Sequence, residues 1–321
     1  VMKVCVASPY PLSELKGNSV TTDRIVAMLN EGGVDARGSH GYDGDPADVL
    51  IALHAVKGAP AVFDFREKAP QGKVIVLLTG TDIYQGLPEG SEIGHDALRS
   101  ADRIVVPQEA AILRLPEEVR DKTVVIRSSL DPIAIKAGPL KSPFVISVVG
   151  HPRPVKRSFL TIETVARHPE WRDLEVWQIG QALDEESRKT AAAWVRNDHR
   201  YRWFGGLPRQ ESLARCAESS LMINSSILEG GAHAVLEAMT MGVPVLASRI
   251  EGNVGLLGDD YPGYFEEGKL DEALQAIVDK RVDLEDWVSL ASERMDRFSR
   301  ESESTSWLDL LAELNYQAPT R

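Results

Sequence analysis

Short apolar runs alternate with polar or helix-like segments along the chain, and the runs fall into two series. The first comprises "KVCVAS" (3–8), "DVLIALHA" (48–55), "KVIVLLTG" (73–80) and "ADRIVVP" (101–107). The second comprises "FVISVVG" (144–150), "LEVWQIG" (174–180), "YRWFG" (201–205), "LMINS" (221–225) and "VPVLAS" (243–248). Runs this short, apolar on successive residues, predict strands buried on both faces of a parallel sheet. Helical segments lie between them. "SVTTDRIVAMLNEGG" (19–33) places Ile25, Met28 and Leu29 on one face, offers Thr21 or Thr22 as a cap, and stops at Gly32–Gly33. From Asp271 to Asn315 the pattern reads as amphipathic helices.

Residues 128–143, "SSLDPIAIKAGPLKSP", interrupt the alternation with three prolines and a glycine, as an interdomain connection does. The expected fold class is therefore α/β, with two doubly wound Rossmann-like domains facing each other across a cleft. Residues 1–141 form the first domain and 142–299 the second, with a last helix at about 300–321 packing back on the first. A chain of 321 residues exceeds what one hydrophobic core usually serves, which agrees with two domains.

Composition narrows the function. A formal net charge of −12 argues against nucleic-acid or anionic-membrane partners, because both repel an acidic surface. A local basic pocket can still hold a small anion. The two cysteines, Cys5 and Cys216, lie far apart without metal-ligand spacing, so no disulfide framework is expected. No cleavable signal pattern opens the sequence, and no apolar run approaches the ~20 residues of a membrane span. A reducing cytoplasm is the expected compartment. Oligomeric state is not readable.

The most informative stretch is "SSILEGGAHAVLEAMTMGVPVLAS" (225–248). Glu229 falls just past a strand, at the carboxyl edge where open α/β sheets bind ligands. Gly230 and Gly231 expose backbone N–H groups, and a helix starting near Ala232 points the positive end of its dipole at an anion. Glu237 falls about one turn into that helix. An acid, a glycine loop and a second acid suit a nucleotide-sugar: the loop takes the diphosphate, one glutamate the ribose, the other the sugar. A glycine-rich connection with a solvated Glu237 remains the alternative. His233 is either a donor contact or a helix-start residue.

The loop "HPRPVKRS" (151–158) carries His151, Arg153, Lys156 and Arg157 and no acid. Such cations hold charged substrates and stabilise a departing diphosphate. Main-chain amides near position 231 and cations near position 155 are expected to converge on one pyrophosphoryl group where the lobes meet. On the acceptor side, Gly17, Asn18 and Lys16 precede a helix and face an anion or merely cap it. His54 ends the strand "VLIALH" in either a functional or a structural role. "TGTD" offers Thr79, Thr81 and Asp82 at another strand end. "Asp43-Gly-Asp45" has the spelling of a metal-holding pair, but it precedes its strand and reads as a Gly/Pro turn. No metal and no cofactor are expected.

Glu229 and Glu237, separated by "GGAHAVL" and followed by "AMTMGVPVLAS", resemble the glutamate signature of family 4 glycosyltransferases, which have the GT-B fold. "VVGHPRPVK", "RYRWFGGLPRQESLARCAES", "ALHAVK" and "LLTGTDIY" extend the resemblance over nearly the whole chain. Narrower motifs, "KGNSVTT", "GDPADVLIALHAVK", "LTGTDIY", "GHPRPVKRSF", "IGQALD" and "EGNVGLLGDDYPGYF", resemble the selenosugar synthases of selenoneine biosynthesis. That resemblance implies a transferase joining selenophosphate to a UDP-sugar, with UDP-N-acetylglucosamine or UDP-glucose as donor. It implies catalytic roles for His54, Arg153, Lys156 and Glu229, and donor contacts from His151, Gly230, Gly231, Ala232, His233 and Glu237. Lys16, Gly17, Asn18, Thr79, Thr81, Asp82 and Arg157 fall to the acceptor. One departure stands out: His151 occupies the place where the broader family has an arginine, five residues before Lys156. Two other readings stay open: a glycosyltransferase acting on a hydroxyl acceptor, and a catalytically silent nucleotide-sugar-binding protein.

Overall fold

The computed structural model describes residues 1–14, 17–139 and 142–316. The chain folds into two compact units, Val1–Ser129 with Arg297–Arg321, and Leu130–Asp296.

In the first unit the elements run β1 (Lys3–Ser8), α1 (Gly17–Glu31), β2 (Asp35–His40), β3 (Val49–Leu53), α2 (Ala59–Lys68) and β4 (Lys73–Leu77). They continue with α3 (Glu92–Ser100), β5 (Arg103–Val106), α4 (Ala110–Leu113), α5 (Glu117–Arg120) and β6 (Thr123–Val125). The strands form one parallel sheet in the order β2-β1-β3-β4-β5-β6. Its strands divide their side chains between two apolar layers, as the pleat requires. Val4, Val6, Ile51, Leu53 and Ile75 pack with Ile25, Met28 and Leu29 of α1. Cys5, Ala7, Leu50, Ala52 and Val76 pack with Val62 and Phe65 of α2 and Leu98 of α3.

The C-terminal helix (Arg300–Tyr316) completes the first layer through Trp307, Leu310, Leu311 and Leu314. Glu303 anchors it, accepting from the Ser129 N–H at 2.6 Å and pairing with Arg24, while Arg300 reaches Glu31 at 2.8 Å. Ser129 is thus held by the first unit. A few residues on, the Ala137 N–H donates to Met241 O at 2.7 Å and Lys136 Nζ donates to Thr240 O at 2.7 Å, inside the second unit. The proline-rich segment therefore belongs with the second unit, and the division falls after Ser129 rather than at 141.

The helix α1 begins at Gly17, earlier than the Thr21 or Thr22 cap that the sequence suggests. Thr22 is fully buried inside the helix, and Ser19 instead ties the first turn down, donating to Pro11 O at 3.1 Å. β2, "DARGSH", carries almost no apolar signal, because an edge strand that buries only Ala36 and Ser39 needs little. Asp43-Gly-Asp45 is a turn: Arg37 pairs with Asp43 and donates to Asp45 O at 3.0 Å, and the Asp45 N–H donates to Asp43 Oδ1 at 3.1 Å.

The second unit runs β7 (Phe144–Val149), α6 (Leu160–Ala166), β8 (Leu174–Ile179), α7 (Glu185–Asn197), β9 (Tyr201–Trp203) and α8 (Arg209–Ala217). Then come β10 (Leu221–Asn224), α9 (His233–Met241), β11 (Val245–Ser248), α10 (Glu251–Leu257), β12 (Tyr264–Phe265), α11 (Leu270–Val278) and α12 (Leu284–Ser292). This sheet is also parallel, in the order β12-β11-β10-β7-β8-β9. The chain moves outward from β7 through β9, then returns to the other side of β7 with β10. The order reverses between β7 and β10 here, and between β1 and β3 in the first unit. At such reversals the loops leaving adjacent strands diverge and open a crevice. Both cysteines are free and buried, and burial pushes the Cys216 thiol up to about 12. Among the described residues, no helix is long and apolar enough to cross a membrane.

Candidate active site

The loops that leave β7 and β10 meet at the reversal point of the second sheet. After β7 the chain makes one tight turn, Pro154–Lys156, and stops it with Arg157 in the left-handed region (φ 42°). After β10 comes "SSILEGG". The Ile227 N–H donates to Val155 O at 2.9 Å, and Ser225 Oγ donates to Lys156 O and Arg157 O, each at 3.0 Å. Arg157 returns the contact from Nε to Ser225 O at 2.9 Å and extends to Glu267 at 3.2 Å. Through Nε and NH1 it thus braces the two loops.

Lys156 Nζ pairs with Glu229 Oε1. The same oxygen accepts from Ser226 Oγ at 2.7 Å and from Asn224 Nδ2 at 3.4 Å. Glu229 is buried, so these donors replace the water it lost. Asn253, fully buried at the start of α10, backs this group by donating to Ser248 O at 2.9 Å and Asn224 Oδ1 at 3.3 Å. Gly252 explains how α10 comes so close. A Cβ there would stand 2.1 Å from Glu229 O, so only glycine fits.

Beyond Glu229 the chain passes Gly230, Gly231 and Ala232 and enters α9 at His233, with no side-chain cap from Ala232. A Cβ on Gly231 would meet nothing within 4 Å, so this backbone borders open space. Glu237 lies one turn into α9, mostly buried, and accepts from Arg209 NH2 at 3.1 Å. Burial pushes the Glu237 carboxyl above its ordinary range, and Arg209 opposes that rise. The loop that precedes Gly230 and Gly231 and the turn that carries Val155 and Lys156 are joined by the Ile227–Val155 and Lys156–Glu229 contacts, both inside the second unit.

His151 sits at the edge of this cluster. Its Nδ1 accepts the Gln181 N–H at 3.0 Å. The Arg153 guanidinium has no hydrogen-bond or ion-pair partner among the described residues. It borders a groove of about 390 Å³ shared with Arg157, Glu163, Asp184, Glu186 and Thr190.

In the first unit His54, Thr79, Thr81 and Asp82 form one cluster at the carboxyl ends of β3 and β4. His54 adopts φ 73°, a strained conformation for a histidine. Its Nδ1 accepts the N–H groups of Val56 and Lys57, each at 3.3 Å, and Nε2 lies 3.1 Å from Thr81 Oγ1. Nδ1 also lies 3.6 Å from Asp82 Oδ2. Burial lowers the pKa of the ring, against the opposing pull of Asp82. Asp82 is fully buried and accepts from the Ala55 N–H (2.7 Å), the Thr79 N–H (2.7 Å) and Thr79 Oγ1 (3.0 Å). Through these three bonds it organises the loop after β4. Gly17 and Asn18 open α1; Lys16 lies outside the described residues.

Arg209, Asn224, Ser226 and Asn253 belong to the site and escape a reading by motif. The polar end of β10, "NSS", is the one visible signal. Among the described residues, no group of three or more His, Cys, Asp or Glu side chains is placed to hold a metal ion.

The family model of the glycosyl transferases group 1 matches residues 132–303, more than half of the chain. The chain belongs to the group 1 glycosyl transferases. The matched span contains both site loops and both glutamates of this glycosyl transferase. Similar solved structures include sucrose-phosphate synthase from Thermosynechococcus elongatus (13% identity, TM-score 0.82, covering 99% of this chain and 100% of that one). Another is HepE from Anabaena in complex with UDP and glucose (17% identity, TM-score 0.73, 98% and 100%). A third is the apo form of the lipopolysaccharide outer core galactosyltransferase WaaB (12% identity, TM-score 0.71, 97% and 99%). At these identities the likeness concerns fold: the two parallel-sheet units of this glycosyl transferase are those of the GT-B fold.

Proposed function

We propose that this glycosyltransferase uses a UDP-sugar and that its acceptor is selenophosphate, so that the product is a 1-selenosugar. One observation carries the donor half: Lys156 and Glu229 pair beside an open glycine loop at the reversal point of the second sheet. The fold neighbour HepE, crystallised with UDP-glucose, supports the choice of donor. The selenophosphate half rests on the motifs shared with selenosugar synthases and on His151 in place of the family's arginine.

The N–H groups of residues 231–233 take the diphosphate, with Lys156 as counter-charge. Glu237, paired with Arg209, holds the ribose. Glu229 orients the sugar, and Arg153 and His151 lie where charge gathers on the leaving group. Selenium of selenophosphate attacks the anomeric carbon, and the carbon–oxygen bond to UDP breaks with its electron pair going to the diphosphate. Water then cleaves the selenium–phosphorus bond, giving phosphate and the selenol. Selenium is a soft, strong nucleophile and needs little general-base help. No step uses a metal.

Incubation of the purified protein with UDP-N-acetylglucosamine or UDP-glucose and selenophosphate, followed by mass spectrometry, is expected to yield UDP and a selenium-containing sugar. UDP release with a hydroxyl acceptor and none with selenophosphate refutes the acceptor.

A further inference from the structure

The first unit reverses strand order between β1 and β3, as the second does between β7 and β10. A cation stands at this crevice too. Lys57, just past β3, directs Nζ to the Tyr10 hydroxyl, just past β1, at 2.7 Å, with the ammonium 5.3 Å from the ring centroid. Among the described residues Lys57 has no carboxylate partner. The Lys57 side chain is exposed, so its ammonium is open to a ligand.

The main chain at the lysine is held in a tight turn. Its own N–H donates to His54 Nδ1, and the Gly58 N–H donates to His54 O at 2.7 Å, closing the turn. A Cβ at Gly58 would lie 2.5 Å from Leu53 O, so glycine is required for that closure. The strained His54 backbone fixes where Lys57 emerges, and Tyr10 fixes where its side chain points. The ammonium is close enough to depress the His54 pKa further, in addition to burial. The His54 imidazole, the Tyr10 phenol, the Thr81 hydroxyl and the Lys57 ammonium gather at one sheet edge.

We propose that Lys57, with Tyr10, binds the phosphoryl end of the acceptor, a tetrahedral oxyanion carrying two or more charges. This deepens the acceptor reading and rests on it only for the choice of anion. Selenophosphate and a sugar phosphate present the same chemistry, so both are tested. The ammonium meets the oxyanion oxygens, and the Tyr10 hydroxyl, 2.7 Å from it, lies beside them.

The test is isothermal titration of selenophosphate, and separately of glucose 6-phosphate, into the full chain saturated with UDP. Wild type, Lys57→Gln, Lys57→Arg and Tyr10→Phe are compared. Lys57→Gln is expected to weaken the anion about ten- to a hundredfold, the worth of one charge-assisted hydrogen bond, with Lys57→Arg partly restoring it. UDP affinity stays unchanged in all four proteins. Wild type binding only glucose 6-phosphate, with the same loss in Lys57→Gln, upholds Lys57 and refutes selenophosphate as acceptor. Equal anion affinity in wild type and Lys57→Gln, or no binding of either anion to wild type, overturns the assignment.

Discussion

Lys156 and Glu229, 73 positions apart in sequence, form an ion pair at the point where the second sheet reverses its strand order. The pair joins two functions in one contact. It closes the loop after β7 against the loop after β10, and it sets a cation beside the glycine entry to α9. Because Glu229 is buried and Lys156 is not fully so, the carboxylate depends on the pair more than the ammonium does.

Lys156→Met should therefore hurt folding as well as chemistry. Glu229 keeps Ser226 and Asn224 as donors but loses its counter-charge, at a cost of about 1–3 kcal/mol in urea unfolding. Sugar transfer should fall about 10²–10³-fold. Stability and turnover both equal to wild type would remove the pair from the account.

Two glycines separate structure from ligand binding. Gly252→Ala puts a methyl group into Glu229 O and should destabilise by roughly 1–3 kcal/mol, because main chain has to move. Gly231→Ala meets nothing and should leave the melting temperature near wild type while weakening UDP binding. Calorimetry and UDP titration on the two variants check the contrast, which fails if Gly231→Ala binds UDP normally.

Arg209 counters the burial that raises the Glu237 carboxyl. Donor affinity should hold at high pH, where Glu237 is ionised, and fall as pH drops through its pKa. In Arg209→Gln that fall should move to higher pH, since burial then acts unopposed. UDP affinity measured from pH 5 to 9 decides; an identical profile in the variant contradicts Arg209 as the group that positions and charges Glu237.

His168 supplies a stability test away from the site. It bonds Glu170 at 2.8 Å and Asp271 at 2.9 Å, and both contacts, Glu170 first, raise its pKa. A histidine raised in the fold stabilises fully below its unfolded pKa of about 6.5, and that stabilisation is lost as pH rises through the folded value. The melting-temperature difference between wild type and His168→Asn should be larger at pH 5.5 than at pH 8.5. A difference independent of pH would rule the clamp out.

Much of the fold is visible in the sequence because parallel strands buried on both faces leave unbroken apolar runs; "KVCVAS", "FVISVVG" and "LMINS" all become strands. "DARGSH" does not announce itself, since an edge strand buries little. The start of α1 is misread because Thr21 and Thr22 look like caps, yet Thr22 is packed inside. At the site, glutamates and glycines are legible because their spacing is local. Arg209, Asn253 and Lys57 are not, because each acquires meaning only through a partner brought near by the sheet order. Asp82 is legible as a carboxylate at a strand end, whereas its three donors from Ala55 and Thr79 are not, because the Ala55 N–H comes from another strand's loop.

A crystal structure of the protein with UDP tests the central claim most directly. The account predicts the diphosphate within about 3 Å of the N–H groups of residues 231–233 and of the Lys156 ammonium, with the ribose on Glu237. A diphosphate bound away from the loops after β7 and β10 would contradict it.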